Sequence, residues 1–299
     1  MAGLNKEVWI SDLKDNFFQA DTFLQDGVNL DPFVDNDVIN LAEIGAEPNV
    51  ERNRTSYPIP AAPRTDNPLA LALDEYSSDS TIIRDAELAE LVYDKRASVV
   101  MQHRRAILRK MAEYGFHAVA PLEETADTPI IQTTGAANAF GKKKLTKEDI
   151  AALAKAFDQL QYPNEGRVLV LDSDVFWDFV TSDTALNNQY ILNGSAGSLG
   201  GEFVYYYGFT IRKREGLPYY SGSAGSYEKV PFGASTSGAV KGMISYLKNE
   251  SFGRGQGTVE MYEKIKDPDN QGDVINFRMR GIVLPFRQKL LGAIVQVPD

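Results

Sequence analysis

The chain has 299 residues, 43% of them hydrophobic, which is enough to build one large or two ordinary domains around a real core. Its 31 Lys and Arg against 41 Asp and Glu leave a net charge of −10, which argues against a protein that wraps nucleic acid tightly with a basic surface. It has no cysteine, hence no disulfide framework and no thiolate metal site; its first residues carry too many charges for a signal peptide, and no run approaches the roughly 20 apolar residues of a membrane span.

In chain order, Trp9, Leu13 and Phe17 recur every fourth residue and predict a short amphipathic helix, docked either on its own domain or on a neighbour. Residues 34–50 read as a short strand or turn region ending at Pro48. Between 51 and 84, Pro58, Pro60, Pro63 and Pro68 lack the N–H that a ladder requires, which excludes a central strand and favours an exposed two-stranded arm or loop. A structureless loop of roughly 30 residues is unusual in a compact domain unless it has a function of its own.

Residues 85–115 predict one helix about 45 Å long. Asp85 is its expected N-cap and Gly115 its expected stop, with Glu87 and Glu90 near the positive end of the dipole and Arg109 and Lys110 near the negative end. Leu88, Leu91, Val92, Val99, Ile107 and Met111 form an interrupted apolar face, leaving Arg96, Arg104 and Arg105 for solvent or a partner.

Thr146 reads as the N-cap of a second helix, with Asp149 completing a capping-box pattern and Ile150, Leu153 and Phe157 on one face. Val168 to Leu171 predict a short buried strand, after which Asp172 or Ser173 caps a helix carrying Phe176, Trp177 and Val180. A Gly/Ser/Asn-rich stretch, 193–201, leads into a strand pair turning near Gly208, and the last third reads as strands joined by the turn DPDNQGD. There is no internal repeat.

Catalytic constellations are hard to find. His103 and His117 lie fourteen residues apart without a carboxylate cluster at ligand spacing, so packing or surface roles are expected and no metal or catalytic site is assigned. GAANAFGKK fails as a phosphate-binding loop, because five residues separate Gly135 from Gly141 and Lys143 stands where Ser or Thr should hold magnesium. Asp172 and Asp174 resemble an acid/base pair, but a helix start explains them as caps. HRR at 103–105 and KKK at 142–144 are compact basic clusters that read either as solvated faces or as nucleic-acid contacts.

Three stretches then carry a resemblance. VYDKRASVVMQHRRAILRKMAEYGFHAVAP, DIAALAKAFDQLQYPNEGRVLVLDSDVFWDFV and YYYGFTIRKREGLP, in that order, are similar to the spine helix, the helix–turn–strand–helix and the later G-F-x-I segment of the major capsid proteins of tailed bacteriophages. The resemblance implies an α+β chain of the Hong Kong 97-type fold, with no catalytic role and no cofactor. Its parts would be an N-terminal arm (1–30), a peripheral domain (31–50, 85–124 and 251–299) with the spine helix 85–115, an extended loop (51–84) lying across a neighbour, and an axial domain (125–250).

The same resemblance implies hexamers and pentamers of this chain in an icosahedral shell around phage double-stranded DNA. The shell is assembled in the bacterial cytoplasm and located in the virion, with non-specific contact to the packaged DNA. Residues 51–84 contain no lysine, so the covalent cross-link that some relatives make from this loop is not expected. Only about 30 residues precede the expected core, so a separate scaffolding protein is expected, beside a portal and decoration proteins; no membrane is implied. Asp74, Glu75 and Asp79 of the arm are expected either to face Arg96, Arg104 or Arg105 of a neighbour or simply to face water. An encapsulin-like compartment holding a cargo enzyme is the alternative content. A soluble α/β enzyme using Asp172 and Asp174 is the alternative class.

Overall fold

The structure is a computed structural model that describes residues 22–35, 38–43, 50–55, 57–58, 67–84, 95–182, 202–268, 271–286 and 289–299. The helix expected around Trp9, Leu13 and Phe17, the cap at Asp85, the helical segment before residue 95 and the Gly/Ser/Asn-rich stretch lie outside the described residues.

The chain begins with α1 (Thr22–Gln25), β1 (Val28–Asn29), a 3-10 turn (Asp31–Phe33), β2 (Val34–Asp35), β3 (Val38–Glu43), β4 (Asn67–Ala72), β5 (Asp74–Ser77) and β6 (Thr81–Arg84). It continues through α2 (Lys95–Val119), β7 (Ile130–Gln132), α3 (Lys147–Gln159), β8 (Arg167–Leu171), α4 (Ser173–Ser182), β9 (Glu202–Tyr206) and β10 (Phe209–Lys213). It closes with β11 (Tyr219–Ser221), β12 (Glu228–Lys229), β13 (Val240–Leu247), β14 (Phe252–Asp267), β15 (Gly272–Pro285) and β16 (Leu291–Gln296).

An eight-stranded mixed sheet forms one half of the core. Along β13, β16 occupies one edge, while β8 and β11 succeed each other along the other; β10 then pairs with β8 in parallel and β9 with β10 in antiparallel. RVLVL of β8 and LGAIVQ of β16 are buried at every residue, as expected of strands covered on both faces. One cover is α3. Its capping box joins Thr146 and Asp149, and Ile150, Leu153 and Phe157 go inward, as the sequence predicts. The strand pair turns through Tyr207 and Gly208, both with positive φ, which a tight hairpin requires.

The second half is the long hairpin β14–β15, closed at the predicted turn by the pairing of Asp267 with Gly272 and flanked by β1 on one side and by β5 and β6 on the other. Inward residues Val259, Met261, Ile275, Phe277 and Met279 alternate with outward ones, the pattern of a sheet buried on one face. On the outward face, Glu260 lies opposite Arg278 and forms an ion pair with it, and Arg280 lies opposite Glu75.

The helix α2 crosses this hairpin, and here one expectation needs correcting. Gly115 does not end the helix, which runs on to Val119 and stops before Pro121. Its missing side chain serves packing instead, because a Cβ there would lie 2.7 Å from Cβ of Val283 on β15. Of the expected apolar face, Val99, Ile107 and Met111 are buried.

The third sheet is small and has the order β2–β3–β4. Pro68 sits in the edge strand β4, opposite Ala42, where its lack of an N–H is harmless. The two-stranded element that the prolines predict therefore exists, yet its first strand starts at Val38, before the proline-rich stretch begins. Residues Asp74–Ser77 and Thr81–Arg84 belong to the body, since both strands pair with β15. Tyr76 and Ile83 explain this, one half-buried and the other fully buried against the core.

Candidate assembly surfaces

The small sheet β2–β3–β4 carries a long connection between β3 and β4 that reaches into solvent. Ile39 is fully buried against Gly255 of β14, but Val50 is 89% exposed and Tyr57 73% exposed. Apolar side chains held this far out of a core are candidates for burial by another molecule. Phe140, at the tip of the turn after β7, is 80% exposed, while Asn138 in the same turn donates to the Asp178 carboxylate of α4 at 3.2 Å, which fixes the base of the loop.

The chain ahead of the small sheet is anchored by chemistry the sequence did not reveal. Asp26, just after α1, is buried and forms an ion pair with Arg212 of β10; it accepts a hydrogen bond from the Tyr246 hydroxyl of β13 at 2.7 Å, and Lys248 lies 3.9 Å away. Burial beside this carboxylate pushes the Tyr246 phenol well above its ordinary range. Next to it, Phe23 stacks on Phe252 at 4.8 Å and meets Phe116 of α2 edge-on at 5.1 Å. The start of the described chain is thus clamped between the long helix and the eight-stranded sheet.

At the far end of α2, the half-buried Lys229 donates to the carbonyls of His117 at 2.8 Å and Ala120 at 2.9 Å, capping the negative end of the helix dipole. Burial lowers its ammonium to about 8. His117 bonds the carbonyl of Val230 at 2.8 Å and packs edge-on against Phe232. The packing roles expected of both histidines hold. His103 lies within hydrogen-bonding distance of the Ser78 hydroxyl at 2.8 Å and the Thr81 hydroxyl at 3.0 Å, tying α2 to the β5–β6 connection.

An open cleft of about 560 Å³ runs beside this tie, with Glu75, Ser77 and Asp79 on one wall and Gln102, Ala106 and Lys110 of α2 on the other. Of the charged residues proposed for contacts between subunits, Glu75 and Asp79 line it. Glu75 is 3.7 Å from both Arg278 and Arg280 of its own subunit, Arg96 is paired with Asp273, and Arg104 is buried with a contact to the Met101 sulfur. Asp74, Asp79 and Arg105 are exposed.

The aspartates of the alternative catalytic reading are separated by their environments. Asp172 is buried and holds Lys241 at 2.7 Å, with its other oxygen unpartnered, whereas Asp174 faces solvent. Asp172 stands before the first residue of α4, as predicted, but its carboxylate is turned to β13 and not to the helix amides. Among the described residues no group of three or more His, Asp or Glu could hold a metal ion, and no helix is long and apolar enough to cross a membrane.

No family model matches the chain, and no curated protein matches it in sequence. Solved structures do match in fold. The capsid of the cyanophage P-SCSP1u aligns with 91% of this chain and 86% of that chain at 16% identity and a TM-score of 0.60. The capsid of Ralstonia phage GP4 aligns over 88% and 84% at 11% identity and a TM-score of 0.59. The virus-like particle from Pyrococcus furiosus aligns over 95% and 96% at 9% identity and a TM-score of 0.56. The chain therefore has the α+β fold of phage capsid subunits, as the sequence resemblance led one to expect.

Proposed function

We propose that the chain is the major capsid protein of a tailed bacteriophage, a structural subunit that assembles into hexamers and pentamers of an icosahedral shell around double-stranded DNA. The observation that carries this reading is the shared fold over nearly the whole of both chains. The exposed arm supports it, since Val50 and Tyr57 have no apolar cover in their own subunit. In this reading the arm lies across a neighbour, residues 125–250 surround the capsomer axes, and α2 with the closing strands forms the periphery. Self-association is its mode of action, and a scaffolding protein, a portal and decoration proteins are its further partners. Of the charged residues proposed for subunit contacts, Asp74, Glu75, Asp79 and Arg105 are exposed and within reach of a neighbour.

Electron microscopy of the expressed chain, alone and with co-expressed phage assembly proteins, tests the proposal. Closed shells with pentameric vertices are expected. A chain that stays monomeric at every concentration, with the arm protected from proteolysis, would overturn it. The likeness to the virus-like particle keeps one question of content open to the same experiment, because a compartment for a protein cargo yields shells without a genome.

A further inference from the structure

We infer that the solvent-facing side of α2 is a contact surface for the phosphate backbone of double-stranded DNA; resting on the shell reading above, this makes it the face turned toward the interior. The segment Lys95–Val119 carries six Lys and Arg and one acidic residue, Glu113, within a chain whose net charge is −10. The helix thus carries a local excess of positive charge, and its basic residues are sorted further by their surroundings. Arg96 is engaged by Asp273 and Arg104 is buried. Gln102, Arg105, Ala106 and Arg109, at spacing i, i+3, i+4 and i+7, form one exposed face, with Lys110 at its border.

Lys110 is neutralised by Glu113 at 2.8 Å, whereas Arg105 and Arg109 have no ion-pair partner among the described residues. One turn apart, their stems are separated by about 6 Å along the helix, so both side chains can reach phosphates of one DNA strand, which recur about every 3.4 Å of duplex axis. Ala106 beside them presents a single carbon, so a backbone can approach, and Gln102 adds amide donors. Guanidinium forks bind phosphate oxygens without reading sequence. The acidic wall of the neighbouring cleft, Glu75 and Asp79, limits the contact to this narrow stripe. Two arginines per subunit hold DNA weakly, and only repetition over a shell makes the sum large, which suits a container that must let its contents go.

The test compares wild type with R105E/R109E, R105K/R109K and the exposed control K142E/K147E, which carries the same charge change elsewhere. Electron microscopy reports shell formation. Fluorescence anisotropy with a short labelled duplex of arbitrary sequence reports binding to unassembled subunits across a salt series, and to intact shells from outside. Unassembled wild type and R105K/R109K are expected to bind, with a log–log salt slope of about −2 for two phosphates, and R105E/R109E to lose about tenfold or more. K142E/K147E should match wild type, and intact shells should leave external duplex unbound. Undiminished binding by R105E/R109E, an equal loss in K142E/K147E, or capture of external duplex by wild-type shells but not by R105E/R109E shells would overturn the inference. So would failure of R105E/R109E to assemble with rescue by D74K/D79K, which would assign Arg105 to a neighbouring subunit. Absence of shells from the wild type would count against the shell reading and leaves the duplex measurement to decide the surface on its own.

Discussion

The eight-stranded sheet and the three-stranded arm sheet use similar residues to opposite ends. In the former, β8 and β16 are buried at every position; in the latter, Ile39 is buried, while Val50 and Tyr57 in the connection from β3 to β4 stand in solvent. A strand buried on both faces draws its stability from its own chain. An edge strand built on Pro68, in a sheet where Ile39 and Val34 meet Gly255 of β14, has less of its own chain to draw on. Truncation separates the two. Phe157→Ala, beneath β16, is expected to remove about 3–5 kcal/mol from unfolding in denaturant, whereas Tyr57→Ala should leave subunit unfolding within about 0.5 kcal/mol of wild type and reduce the yield of shells seen by electron microscopy. Equal effects of the two on the subunit would erase the contrast.

The clamp at Asp26 sharpens the comparison, because it shows how the body holds the chain that leads into the small sheet. Asp26→Ala leaves the buried Arg212 guanidinium without its carboxylate and is expected to cost about 3–5 kcal/mol. Replacing both partners, Asp26→Ala with Arg212→Met, should recover part of that loss, since no charge is then stranded. Denaturant midpoints of the single and double variants decide this; a double variant no more stable than Asp26→Ala would show that the pair itself, and not the stranded charge, is what matters.

How far the sequence could be read follows the same division between local and distant causes. The Thr146–Asp149 capping box, the VLVL run of β8 and the turn between β14 and β15 were all legible, because each is decided within a few residues. Pro68 correctly excluded a central strand for the same reason. Gly115 misled, since a glycine that ends a helix and one that lets a strand cross it look alike until Val283 is placed, 168 residues later. Asp172 misled in the same way, its carboxylate drawn to Lys241 from another strand. Asp26 gave no signal at all, lying in a polar stretch and meeting Arg212 and Tyr246 only through the fold. Which charges of Asp74, Glu75, Asp79, Arg96, Arg104 and Arg105 stay exposed depended on partners such as Asp273 that sequence spacing does not connect.

The smallest expected effect concerns pH and the tie between α2 and the β5–β6 connection. Burial lowers the His103 pKa below its ordinary value, so the unfolded chain takes up its proton at a higher pH than the folded one. Stability contributed by neutral His103 is therefore complete above about pH 6.5 and is lost progressively as pH falls from there toward the lowered folded value. The geometry says why protonation is unwelcome. The Ser78 hydroxyl already accepts the Phe277 amide at 3.0 Å and lies 3.2 Å from the Phe277 carbonyl. A charged ring would have to donate from both nitrogens, which turns the Thr81 hydroxyl away from the one it can serve as donor. Melting temperatures of unassembled subunits between pH 7 and pH 5 should fall less steeply for His103→Gln than for wild type. His117 is lowered too by burial and remains in both proteins, so it cancels in the difference. Parallel curves would place the acid sensitivity elsewhere and reduce His103 to a neutral packing group.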